Sequence, residues 1–129
     1  MAAMIKFRAW NGYRKIMADY VSAIQNGDTQ GTPSSVNVIV DGKNETWDIK
    51  NDDVELLKFT GLKDMNGKEI YEGDILENRK YRSIVKFANG KFLADVVGTI
   101  SRFDLIGETH GSKVIGNVHE NPELLEEDK

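Results

Sequence analysis

Cysteine is absent from the 129 residues, which excludes disulfides, thiolate metal sites and cysteine nucleophiles together. No apolar run approaches the roughly 18–20 residues that a membrane-spanning helix needs. The opening Met1-Ala2-Ala3-Met4 has neither the basic nor the apolar region of a signal peptide, so a soluble cytoplasmic protein is expected. No glycine-rich loop runs into Lys-Ser or Lys-Thr, which removes the common phosphate cradle. Ser34, Ser35, Ser83, Ser101 and Ser112 all lack the context of a nucleophile elbow. His110 and His119, the two histidines, have no paired His-x-x-x-His spacing and read as surface residues.

What is present suits one domain with a real core. The net charge of −4 is unevenly spread. Residues 120–129 hold one lysine against five acids, so the tail accounts for the whole net charge and the body sums to neutral. A neutral body is no electrostatic footprint for a nucleic acid, although local basic patches remain.

The chain reads as a succession of strands and tight turns. Ile5-Lys6-Phe7-Arg8-Ala9-Trp10 alternates apolar and basic residues, the pattern of a strand with one buried face. Two registers fit the Asn11-Gly12 that follows: a two-residue loop facing Trp10 with Tyr13, or a longer loop ending near Lys15 that turns Met17 inward. Trp10 beside Arg8 reads as a strand-end aromatic covering the core. Ile16–Ile24 predicts a strand and a turn. Residues 26–35 have almost no apolar side chains to repay ordering, which predicts a mobile loop. Val36-Asn37-Val38-Ile39-Val40 has strong β character, Asp41-Gly42 allows a tight turn, and Thr46–Ile49 returns. Asn51-Asp52-Asp53 ends that strand.

Asn89-Gly90 sets the clearest hairpin: a two-residue loop pairs Phe87 with Phe92, Lys86 with Leu93, Val85 with Ala94 and Ile84 with Asp95. Residues 102–106 read as a short strand or a helical turn, and Val114–Val118 as the last strand. Asn121-Pro122-Glu123 has the chemistry of a helix start, with Asn as N-cap and Pro at the first position. The helix would span about two turns, held by docking of Leu124 and Leu125, with a frayed end at residues 126–129.

Three pieces of the chain resemble the YopX-like proteins of bacteriophages and prophages. They are Ile5–Trp10, the run from Phe59-Thr60-Gly61-Leu62-Lys63-Asp64 through Tyr71-Glu72-Gly73-Asp74-Ile75, and Val114-Ile115-Gly116-Asn117 through Asn121-Pro122-Glu123-Leu124-Leu125. Order and spacing match over the whole chain. The resemblance implies a mainly β protein: an N-terminal β-hairpin region over 1–58, an SH3-like barrel over 59–119, and a short C-terminal helix with an acidic tail over 120–129. It implies a phage or prophage origin and a bacterial cytoplasm as its place of work. It carries over no activity, cofactor or site residue. Asn11-Gly12 departs from the family, in which an acidic residue commonly follows the tryptophan.

The residues themselves offer few sites. Asp64-Met65-Asn66-Gly67-Lys68-Glu69 has the look of a calcium loop, but glycine falls fourth and Ile75 twelfth, where an EF-hand needs glycine sixth and glutamate twelfth. A two-residue Asn66-Gly67 turn between Met65 and Lys68 accounts for the same residues, and Gly61, Gly67 and Gly73 read as backbone devices for tight turns or positive φ. A metal-dependent nuclease would need Asp41 and Asp48, with Lys50, brought together across one hairpin; turn and strand chemistry explain all three. No metal ligands, cofactor or catalytic residues are therefore assigned, and no enzyme is expected.

Arg79, Lys80, Tyr81 and Arg82 are the candidate binding residues: three cations around one aromatic, able to neutralise phosphates while the ring stacks on a base. The bland reading is a solvated hairpin tip whose charges blunt an edge. Arg8, Arg14 and Lys15 would extend the patch if the two hairpins lay together. The expected function is a non-catalytic accessory module for a phage or host protein partner. A nucleic-acid-binding accessory protein is the alternative, and strand edges and surface aromatics also suit a homo-oligomer. No membrane partner is expected.

Overall fold

The computed structural model describes residues 6–26 and 33–126. The protein is mainly β and divides into two compact units, Met1–Lys58 and Phe59–Lys129. The expected mobile loop and frayed tail fall largely outside the described residues.

In the first unit, β1 (Phe7–Asn11) pairs antiparallel with β2 (Ile16–Met17) on one side. On the other it pairs with the first half of β6 (Val54–Lys63), placing Ala9 opposite Leu56. A second sheet has the order β3 (Tyr20–Asn26), β4 (Pro33–Val40), β5 (Lys43–Asp48). Alternation along β4 turns Val36 and Val38 inward. They meet Trp47 of β5 and Ala9 of β1 in one core, with Ala18 beside them. Trp47 is buried, and its indole N–H donates to Glu45 Oε1 at 2.9 Å. Trp10 is also buried, as a core-covering aromatic should be.

The register around Asn11-Gly12 is the longer-loop one: Trp10 lies opposite Met17 and Asn11 opposite Ile16. Long-range contacts decide it. Asn11 is fully buried, its carbonyl accepts from Lys15 N and its side-chain oxygen from Arg14 N, both at 2.8 Å. Lys15 takes the positive φ of 61°. Gly12 is pressed against the turn that ends β5, donating to Asp53 O at 3.0 Å. The Asp41-Gly42 turn is a two-residue loop between Val40 and Lys43, with φ of 51° and 79°. Residues 33–35, expected in a loop, belong to β4. They sit in the middle strand, where Ser35 pairs with both Gln25 and Asp48, and main-chain bonding from two neighbours replaces side-chain burial.

In the second unit, the end of β6 pairs with β7 (Glu69–Tyr71). A five-stranded sheet follows, built from β8 (Asp74–Glu77), β9 (Arg82–Ala88), β10 (Lys91–Val96), β11 (Arg102–Asp104) and β12 (Lys113–Asn117), in the order β11-β10-β9-β8-β12. Its core gathers Ile70, Leu76, Val85, Ala94 and Leu105. The β9–β10 register is the one read from Asn89-Gly90 in every pair, with Asn89 and Gly90 at φ of 55° and 81°. Strand and helical turn both occur at 102–107, since β11 runs directly into a 3-10 turn, Leu105–Gly107.

The C-terminal helix is shorter than expected, a single 3-10 turn at Pro122–Leu125 with no buried residue. Asn121 does not cap it. Its side-chain oxygen instead accepts from Asn117 N at 3.2 Å, while Asn121 N returns to Asn117 O at 2.9 Å. With its capping oxygen spent on the β12 end, the helix start has lost its main local support.

Gly12→Ala is expected to destabilise the first unit by about 1–3 kcal/mol, because a Cβ there would lie 2.7 Å from Asp53 Oδ2 and 2.9 Å from Asp53 O. Both tryptophans lie in this unit, so urea unfolding followed by tryptophan fluorescence reports the change directly.

Candidate functional site

The site is built around a cleft of about 710 Å³ in the second unit, within the roughly 300–1,000 Å³ range of small-ligand pockets. Two loops form its walls. One is the β6–β7 hairpin tip with Met65 and Asn66, and the other is the β8–β9 loop, Asn78–Tyr81. Lys113 of β12 and Glu77 of β8, which lie opposite each other in the β8–β12 pair, complete the lining with Gly111.

The first wall depends on Asp64. Its Oδ1 accepts from Asn66 N at 2.8 Å and Lys68 N at 2.9 Å, and its Oδ2 accepts from Val114 N at 2.8 Å. Met65 N donates to Ser112 O at 3.0 Å, so two adjacent residues fasten the tip to the segment entering β12. The turn is therefore not the two-residue Asn66-Gly67 loop that the dipeptide predicts. Asp64 N bonds to Lys68 O and Gly67 N to Asp64 O, a three-residue loop of Met65, Asn66 and Gly67 with only the glycine at positive φ, 83°. A carboxylate holding the amides two and four residues ahead favours that geometry over the tighter one. Gly61 and Gly73 also take positive φ, at 83° and 89°, as backbone devices should.

Burial of Asp64 pushes its pKa up, but the amides of Val114, Lys68 and Asn66 outweigh that effect and hold the carboxyl below its ordinary value. Both carboxylate oxygens are thus spent on backbone amides. Among the described residues, no three His, Asp or Glu side chains are placed to hold a metal ion. Asp41 and Asp48 are not brought together either. Asp41 sits at the tip of the β4–β5 hairpin and Asp48 at its far end opposite Ser35, roughly 16 Å along the strand. Asp48 Oδ1 accepts from Asn51 N at 2.8 Å, closing the following turn.

The second wall is an Asn-directed turn. Asn78 Oδ1 accepts from Lys80 N and Tyr81 N at 2.8 and 2.9 Å, and Asn78 N donates to Tyr81 O at 3.0 Å. Three of the four sequence candidates, Arg79, Lys80 and Tyr81, line the cleft, and Arg82 does not. Arg82 lies opposite Glu77 at the base of the hairpin, where Nε donates to Glu77 Oε2 at 3.0 Å and Nη1 to Leu124 O at 3.0 Å. It ties the C-terminal turn to the sheet.

Tyr81 is also anchored. Its hydroxyl donates to Glu108 Oε1 at 2.6 Å, and its ring stacks on Phe103 with centroids 5.9 Å apart. The Glu108 carboxylate, and then burial, push the phenol pKa above the usual tyrosine value. Arg79 and Lys80 are exposed, and neither they nor Lys113 pair with a carboxylate among the described residues.

Met65 and Lys113 were not legible as site residues, because only the β8–β12 pairing and the Asp64 bridge bring them to the Asn78–Tyr81 loop. The Arg82–Glu77 pair was findable, since a four-residue loop faces the two across the hairpin. Of the remaining basic residues, Arg8, Arg14 and Lys15 belong to the first unit, where Arg14 Nη1 pairs with Glu45 Oε1 at 2.6 Å. His110 lies in an exposed turn, and His119 follows β12 with its N–H donating to Asn117 Oδ1 at 3.0 Å. No helix among the described residues is long and apolar enough to cross a membrane.

Comparison with known proteins follows the same chain path. The family model described as YopX protein matches residues 6–126. The crystal structure of protein EF1440 from Enterococcus faecalis is 30% identical, with a TM-score of 0.67 over 97% of this chain and 100% of that one. Protein yopX from Bacillus subtilis is 23% identical, with a TM-score of 0.62 over 96% of this chain and 98% of that one, a likeness of fold. No functionally curated protein matches.

Asp64→Asn should cost about 2–3 kcal/mol at neutral pH, since a charged acceptor of three amides is lost. The lowered pKa gives Asp64 a contribution that is present above the unfolded carboxylate value of about 3.9 and lost as pH falls through the folded value. The gap between wild type and variant should therefore close in acid. Urea unfolding by circular dichroism at both pH values measures it, and a gap unchanged in acid would contradict the assignment.

Proposed function

The chain belongs to the YopX protein family, and from that premise we propose that it is a phage- or prophage-borne, non-catalytic accessory module that binds a protein partner in the host cytoplasm. The observation that carries the reading is the cleft, where Arg79, Lys80 and Lys113, without a carboxylate partner among the described residues, lie with the exposed Met65. These are groups suited to recognition. The nearby carboxylates are committed elsewhere, Asp64 to three amides and Glu77 to Arg82.

We read the five-stranded sheet of the second unit as an SH3-like barrel. Its strand order, β11-β10-β9-β8-β12, and the 3-10 turn between β11 and β12 support that reading. Barrels of this kind commonly bind through loops at one end, which is where the cleft lies relative to the β6–β7 and β8–β9 connections. Nucleic-acid binding is the alternative that the same cations support, because Arg79 and Lys80 flank an aromatic ring. The protein reading is preferred because that ring is already stacked on Phe103 and its hydroxyl is held by a carboxylate.

Affinity capture with the tagged full chain from lysogenic or infected bacterial cells, quantified by mass spectrometry against an unrelated tagged β protein, tests the proposal. One or a few proteins should be enriched by about tenfold or more, corresponding to specific rather than background contacts. Recovery of nothing above the control under several salt conditions would overturn it.

A further inference from the structure

We propose that the ligand of the cleft is an acidic, extended segment of the partner protein, with carboxylates on Arg79, Lys80 and Lys113 and an adjoining apolar side chain against Met65. The inference rests on the binding-module reading above and names the chemistry that the site would select.

Charge is the first argument. Arg79, Lys80 and Lys113 line the cleft with no carboxylate partner among the described residues, and the one acid in the lining, Glu77, is already paired with Arg82. The positive charge is thus uncompensated from within. Elsewhere in the same sheet, cations are matched: Arg102 and Lys86 lie on Asp95, and Lys91 on Asp104. Among the described residues, the one cation of this sheet without a carboxylate partner, Lys113, and the two of the β8–β9 loop all line the cleft. They come from a loop and from β12, so they are spread along the site and suit several carboxylates carried on one backbone better than a single small anion.

Shape and apolar content give the second argument. Met65 is 57% exposed at the tip of a hairpin whose backbone is fastened by Asp64 and by Ser112 O. An unbranched, polarisable side chain on a fixed base can follow the shape of different apolar partners. At about 710 Å³ the cleft has room for a few side chains rather than a track for several nucleotides.

The test is fluorescence anisotropy with the full chain and three labelled probes: a short Glu/Leu peptide with Gly-Ser spacers, the same peptide with Lys for Glu, and an oligo-dT single strand. The Glu/Leu peptide should bind saturably and weaken as salt rises, and the other two should bind at least about tenfold more weakly. Lys80→Glu combined with Lys113→Glu should weaken the acidic peptide by about tenfold or more. Met65→Ala should weaken it about three- to tenfold. Should the charge-reversed chain misfold, Lys80→Gln with Lys113→Gln serves instead and should give an intermediate loss.

Equal binding of the Lys/Leu peptide, or an affinity untouched by the cleft substitutions, would overturn the proposal. Preference for oligo-dT would overturn it in favour of a nucleic-acid site. The two readings fail separately: a partner captured equally by wild type and by the charge-reversed chain sinks the acidic-segment proposal alone. Absence of any captured partner sinks the binding-module reading.

Discussion

One carboxylate holds three backbone amides that belong to two distant parts of the chain. Asp64 accepts from Asn66 and Lys68 within its own hairpin and from Val114 fifty residues later. Hydrogen bonds to an ionised acceptor are the stronger kind, and here they set local and long-range geometry together. The hairpin tip takes its three-residue form, β12 is fixed beside it, and Met65 is left pointing away from the core cluster. Together with the bond from Met65 N to Ser112 O, that anchor ties the first wall of the cleft to the segment entering β12. The long glycine-rich motif that runs through Asp64 is therefore architecture, and its bearing on the proposed recognition is indirect: it positions Met65 and Lys113 at the cleft.

Much of the fold was readable where turn chemistry and strand alternation agree. Asn89-Gly90 and Asp41-Gly42 form two-residue turns, and the β9–β10 register follows residue by residue. The same dipeptide decides less elsewhere: Asn11-Gly12 leaves two registers open, and Asn66-Gly67 suggests a two-residue loop that does not form. Asn11-Gly12 and Asn66-Gly67 each sit in longer loops, where local and distant partners both take part: Lys15 and Arg14 on Asn11 with Asp53 against Gly12, and the Asp64 carboxylate on Asn66 and Lys68 with Ser112 and Val114 against the same hairpin. Asn121 failed as an N-cap for a like reason, its oxygen being claimed by Asn117. A turn or cap signal holds until another hydrogen bond, near or distant in sequence, reshapes the same segment. The site divides the same way. Arg79, Lys80 and Tyr81 are adjacent and visible as a cluster, whereas Lys113 and Met65 join them only through strand pairing.

Electrostatics in the second unit follows from how its strands are paired. Across β9, β10 and β11, Asp95 faces Arg102 and Lys86, and Lys91 reaches Asp104. Such exposed pairs contribute little stability each, but they cancel charge over one part of the sheet. Arg79, Lys80 and Lys113, which have no such partner among the described residues, line the cleft. A chain with an acidic isoelectric point, about 5.2, can in this way present a locally cationic surface.

The Asn-Gly dipeptides carry a further consequence, in the chemical ageing of the protein. Asparagine before glycine is prone to lose its amide through attack by the next backbone nitrogen, which turns a neutral side chain into a carboxylate. Asn11 is fully buried, with its carboxamide oxygen held by Arg14 N, and is shielded from that reaction. Asn66 is exposed on the rim of the cleft, next to a glycine that offers no side chain to slow the attack. Deamidation there would set a new negative charge among Arg79, Lys80 and Lys113, so that a protein stored for long would progressively lose the local positive charge from which the proposal of an acidic ligand is argued.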